Sequence, residues 1–260
     1  MNIKALKTFK QSGEKIACLT AYDASFASVF DMCGIDIVLI GDSLGNVIQG
    51  GENTLGVSMD DMIYHTQAVA KGAKNTLRIV DMPYQSYTNT KQTLTNAKRL
   101  IMAGAQMVKL EGGCEHEASF KILQDNDISV CGHLGLQPQS VIEMGGYKVQ
   151  GREKQSADKI TKDALALASW DVKAIVLECI PAELAKQVSQ SLSIPTIGIG
   201  AGVNCDGQVL VSHDMLGIHV GHVPKFVKNF LTNNDDVKSA VSAFIKAVKD
   251  KSFPSRQHSY

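Results

Sequence analysis

The sequence carries no net charge: 26 lysines and arginines stand against 26 aspartates and glutamates. Such a chain has no long-range attraction for nucleic acid or for an anionic membrane. No cluster of lysine and arginine supplies one locally, and KAVKDK near the C-terminus reads as a solvated helix face. No apolar run approaches the roughly 20 residues that a membrane helix needs. The opening MNIKALKTFKQSGEK has lysines but lacks the apolar stretch of a secretion signal. Six cysteines, at 18, 33, 114, 131, 179 and 205, are scattered without a CxxC, so no disulfide framework is expected. Walker A and HExxH motifs are both missing. The expectation is a cytoplasmic protein with reduced thiols that binds neither nucleic acid nor membrane.

What the chain does have is alternation. At 44% hydrophobic and 20% charged, it can bury a substantial core. Short apolar runs predict strands at 15–21, 35–41, 77–82, 105–110, 128–133, 172–179, 194–199 and 208–212. Amphipathic helical patterns lie between them at 23–33, 58–71, 90–103, 157–169, 182–191 and 235–250. Ser58, with Asp61 three residues on, has the spacing of a capping box. Apolar strands alternating with helices indicate a parallel sheet covered by helices. Eight of them predict an α/β fold closed as a (β/α)8 barrel in one domain, 1–260; an open doubly wound sheet is the alternative. Two long glycine-containing stretches, 43–57 and 134–155, follow strands, where barrels place substrate contacts and lids.

The strand ends raise a chemical question. In IDIVLIGDSLG four consecutive apolar residues, Ile37 to Ile40, run into Gly41 and Asp42. The next strands end on Asp81, on Lys109 and Glu111, on His133 and on Glu178. In a parallel barrel all these ends meet at one rim, the rim that carries active sites. Side chains alternate across a strand, so Lys109 and Glu111 share a face. Each residue also has an ordinary structural reading: Asp42 or Asp81 as a cap, His133 as a satisfied core residue, Lys109 with Glu111 as an ion pair. Five such ends in succession favour a shared site. Carboxylates converging there repel one another and call for a cation. Oxygen ligands without a His/Cys cluster favour Mg2+ over zinc. Glu178, on a separate strand, is then free for proton transfer. GIGAG at 198–202 could offer backbone N–H groups to an anion or serve close packing.

With these ends assembled, the chain resembles the ketopantoate hydroxymethyltransferases. The resemblance rests on LTAYDASFA, GDSLGNVIQG, TLGVSMDDMIYHTQAV, DMPYQSY, VKLEGG, GHLGLQPQSV, GGYKVQGR, LECIPAELA and TIGIGAGVNCDGQVLVSHDMLG, in that order. Tyr84 and Gln137 stand where Phe and Thr are commoner. The resemblance implies a TIM barrel of the phosphoenolpyruvate/pyruvate type, Mg2+ dependence and a large homo-oligomer, often a decamer. It implies metal ligation by Asp42, Asp81 and Glu111. It implies 2-oxo acid binding by Asp42, Ser43, Asp81 and Lys109, with His133 orienting a water or the substrate oxygen, and Glu178 as catalytic base. The implied reaction moves a hydroxymethyl group from 5,10-methylenetetrahydrofolate to 3-methyl-2-oxobutanoate, forming 2-dehydropantoate on the way to pantothenate.

Two other readings share the barrel. A carbon–carbon lyase would want a reactive cysteine on a mobile loop, yet the nearest candidate, Cys131, falls inside a predicted strand. A non-catalytic barrel that senses a 2-oxo acid would need no base, and Glu178 counts against it.

Overall fold

Runs such as IVLI and AIVLE have no polar face to turn to water, so both faces of their sheet must be covered. A computed structural model of the chain describes residues 1–218 and 223–260. Each predicted strand forms: β1 Ile16–Thr20, β2 Ile37–Ile40, β3 Leu77–Asp81, β4 Met107–Glu111, β5 Val130–Gly135, β6 Ala174–Glu178, β7 Thr196–Ile199 and β8 Gly207–Leu210. All pair in parallel, and β8 returns to β1 to close the barrel in chain order. Closure excludes the open doubly wound alternative, which would leave two edge strands unpaired. At the seam Ile16 pairs with Gly207, where a Cβ would stand 2.5 Å from the Ile16 carbonyl oxygen. Only a residue without a side chain lets the two backbones meet there.

The helices are α1 Ile3–Ser12, α2 Ala24–Cys33, α3 Leu44–Val47, α4 Met59–Gly72, α5 Thr90–Ala103, α6 Glu117–Gln124, α7 Lys154–Ser169, α8 Ala182–Ser191, α9 Ser212–Met215 and α10 Val237–Lys249. The Ser58–Asp61 capping box forms with both reciprocal hydrogen bonds and starts α4. Asp23 caps α2 by accepting from the Ser25 and Phe26 N–H groups. Helices α1 and α6, with the single-turn α3 and α9, lie outside the predicted set. Helix α1 rests its apolar stripe on three residues, Ile3, Leu6 and Phe9, of which only Leu6 is fully buried, and α6 has just eight residues. The last strand is shorter than its run of sequence because the Ser212 N–H donates to the Thr20 hydroxyl, where α9 begins.

Parity follows the pleat. A Cβ on Gly132 would meet Leu167 of α7, so Gly132 faces the helix layer. Cys131 and His133, on either side of it, therefore face the barrel interior. The register sets Lys109 beside Cys131 and Glu111 beside His133, and it sets Asp81 beside Lys109. The predicted sharing of one face by Lys109 and Glu111 is what the structure has.

Candidate active site

Five strand ends converge through a chain of contacts. The Asp42 N–H donates to Asp81 Oδ2 at 3.0 Å. Asp81 Oδ1 lies 3.1 Å from the Lys109 ammonium, and that ammonium lies 3.1 Å from His133 Nδ1. His133 Nδ1 is also 3.2 Å from Glu111 Oε1, while Nε2 is 3.2 Å from Glu178 Oε2. All six titratable residues singled out from the sequence thus belong to one network. Ser43 joins it from the side: its hydroxyl is 2.9 Å from the Tyr22 hydroxyl, and a Cβ on Gly41 would stand 2.7 Å from its Oγ.

Of the six titratable members, all but one are sealed. Asp42, Asp81, Lys109, Glu111 and His133 are all buried, whereas the Glu178 side chain keeps 15% of its surface open. Burial raises the Asp42 pKa well above the usual carboxylate range, and the charges of Asp81 and Glu111 add to the rise. Burial also raises Asp81, partly offset by Lys109 and by the N–H of Asp42. Lys109 goes the other way. Desolvation disfavours its charge, but Asp81, Glu111 and Asp42 together hold its pKa well above the ordinary lysine value. For His133, burial and Lys109 oppose a proton, yet Glu111 and Glu178 outweigh them and lift the pKa to about 9.

Four carboxylates face one ammonium and one imidazole, a surplus of negative charge in a dry place. The donor set suits a hard cation. Asp81 Oδ1 and Glu111 Oε1 are buried oxygens that make no well-formed hydrogen bond and face only the Lys109 ammonium at 3.1 Å and His133 Nδ1 at 3.2 Å. Among the described residues no three His, Cys, Asp or Glu side chains form a finished metal cluster.

Three further residues of the site carry no signal in the sequence. Gln139 donates from its amide to Asp42 Oδ2 at 2.8 Å and from its backbone N–H to Glu111 Oε2 at 3.0 Å. The Tyr87 hydroxyl donates to the Gln139 amide oxygen, and Tyr22 holds Ser43. Uncharged side chains in loops give no strand-end signal, so periodicity could not find them. The glycines of GIGAG are closely packed: Cβ atoms on Gly198, Gly200 and Gly202 would crowd Cys205, Phe226 and Ala182. Cys131 is buried in β5 with its thiol pushed up to about 12 by desolvation, which suits no reactive nucleophile.

A closed parallel barrel with a carboxylate–lysine–histidine network at its C-terminal rim defines a (β/α)8 enzyme. Residues 1–256 match the ketopantoate hydroxymethyltransferase family, and the chain belongs to that family. The 3-methyl-2-oxobutanoate hydroxymethyltransferase of Ruthia magnifica subsp. Calyptogena magnifica is 84% identical over 260 residues, the whole of both chains. That of Pseudoalteromonas atlantica is 53% identical and covers 98% of this chain and 96% of its own. Among solved structures, phosphoenolpyruvate phosphomutase from Streptomyces platensis subsp. rosaceus superposes with a TM-score of 0.63 at 14% identity, covering 84% of this chain and 83% of that one. Phosphonopyruvate hydrolase, solved in complex with oxalate and Mg2+, has the same TM-score at 12% identity over 84% of this chain and 83% of its own. At such identities the likeness is one of fold.

Proposed function

We propose that the chain works as a single catalytic barrel domain, 1–260. In this reading it transfers a hydroxymethyl group from 5,10-methylenetetrahydrofolate to 3-methyl-2-oxobutanoate, giving 2-dehydropantoate for pantothenate synthesis. The supporting observation is the one network in which Glu178 alone stays open to a substrate. Asp42, Asp81 and Glu111 would hold Mg2+, which when bound would polarise the keto group of the oxo acid. The Lys109 ammonium pairs with the substrate carboxylate, and the Ser43 hydroxyl, steadied by Tyr22, orients it. Glu178 removes the C3 proton, and His133 holds Glu178 Oε2 in line for it. The C3 carbanion equivalent then attacks the methylene carbon. Water supplies the hydroxyl oxygen, and tetrahydrofolate leaves.

From the family resemblance we take the protein to be a large homo-oligomer, a decamer; Met32, Tyr64 and Met102 are exposed on its outer helices. Among the described residues no helix is long and apolar enough to cross a membrane, and we place the enzyme in the cytoplasm.

The test is turnover with both substrates and Mg2+, paired with C3 deuterium exchange in the oxo acid alone. Removal of Mg2+ by chelation abolishes both. Glu178→Gln loses exchange by about 10²–10⁴-fold, the usual contribution of a general base, yet still binds the oxo acid. Normal exchange in that variant removes Glu178 from the role of base.

A further inference from the structure

Gln139 occupies the short turn Pro138–Ser140 after β5, and it is 5% exposed. From there it reaches the ends of three other strands. Its backbone N–H donates to Glu111 Oε2, at the end of β4, at 3.0 Å. Its amide nitrogen donates to Asp42 Oδ2, just past β2, at 2.8 Å and to the Met82 carbonyl, just past β3, at 2.9 Å. Its amide oxygen accepts from the Tyr87 hydroxyl at 2.7 Å. The amide can point only one way. A peptide carbonyl and a carboxylate accept and never donate, so the NH2 group must face Met82 and Asp42, and the oxygen is left for Tyr87.

We propose that Gln139, held by Tyr87, is a positioning residue that sets the spacing of the carboxylates taking the divalent cation and so tunes its affinity. The inference rests on the cation reading given above. Gln139 engages one oxygen of Glu111 and leaves the other, Oε1, turned toward His133 Nδ1 at 3.2 Å, buried and without a well-formed hydrogen bond. Neutral donors suit this task. They orient carboxylates without cancelling their charge, whereas an ammonium or guanidinium at 139 would stand in for the cation itself. Tyr87 cannot donate to anything else while its hydroxyl serves the amide oxygen, so the strut is locked at both ends.

The experiment titrates Mn2+ into the full chain and follows free Mn2+ by electron paramagnetic resonance, with Mg2+ as competitor. Asp81→Ala serves as the control, and metal-free thermal midpoints are measured in parallel. Gln139→Leu, which keeps the bulk and removes the donors, weakens Mn2+ binding about 10–100-fold, as loss of a ligand's outer partner generally does. Tyr87→Phe weakens it in the same direction by less. A merely structural Gln139 would lower the thermal midpoint and leave Mn2+ affinity unchanged, which overturns the proposal. If Gln139→Leu does not fold by circular dichroism, Tyr87→Phe decides: weakened Mn2+ binding supports the strut, and unchanged binding overturns it. If the unaltered chain fails to bind Mn2+, or Asp81→Ala binds it equally well, the cation reading falls and the proposal with it. If Asp81→Ala alone loses binding, only the strut falls.

Discussion

At His133 two sets of forces compete. Burial and the Lys109 ammonium 3.1 Å away disfavour an imidazolium, while Glu111 and Glu178 favour it and win, moving the pKa from 6.5 to about 9. Nδ1 sits near both Lys109 and Glu111, so Lys109 can donate to it only while the ring is neutral. The folded pKa lies above the unfolded one. His133 therefore contributes stability that is fully present below 6.5 and lost as pH rises through about 9. In metal-free protein the urea midpoint should fall across that window, and His133→Gln should flatten the fall. An identical slope in the variant would mean that other groups carry it. The places of Asp42 and Glu178 in the network were legible because a charge ending an apolar run is visible in one dimension. Gln139 was not, because an amide in a loop is unremarkable until its partners are known.

At the scale of the element, the strand ends depend on backbone as much as on side chains. Gly135 ends β5 at φ 97, and a Cβ there would stand 2.2 Å from the Glu178 carbonyl oxygen, which accepts from the Leu136 N–H. The last residue of β5 thus seats the residue that carries the proposed base. Gly135→Ala combines a left-handed backbone, about 1–3 kcal/mol for a side chain, with a backbone clash. It should lower stability by at least that amount in denaturant titration and should slow C3 exchange. Wild-type exchange in a destabilised variant would show that Glu178 does not depend on this contact. The strands themselves were predictable because buried parallel strands write near-continuous apolar runs. Helices α1 and α6 were not, since one buries a single leucine and the other spans barely two turns.

For the whole molecule, closure of eight strands is what makes separate ends into one site. Strands β2 to β6 are neighbours in the barrel, so their tips stand side by side over an arc of the rim. The same closure turns the outer faces of the helices to the surroundings, and there Met102 is 79% exposed and Tyr64 68%. Light scattering on purified protein should report a mass many times the 28.0 kDa chain, in line with a decamer. A monodisperse monomer would remove the homo-oligomer from the proposal.

By itself the sequence determined the eight strands, the facing of Lys109 with Glu111, and the titratable tips from Asp42 to Glu178. Each of those follows from periodicity within a few residues. Only the tertiary structure decided which oxygen meets which donor: Gln139 reaches Asp42 across 97 residues of chain, and the Tyr87 hydroxyl reaches Gln139 across 52. No local rule carries such distances. They are settled when the barrel closes and buried polar groups must find partners among whatever the neighbouring loops bring.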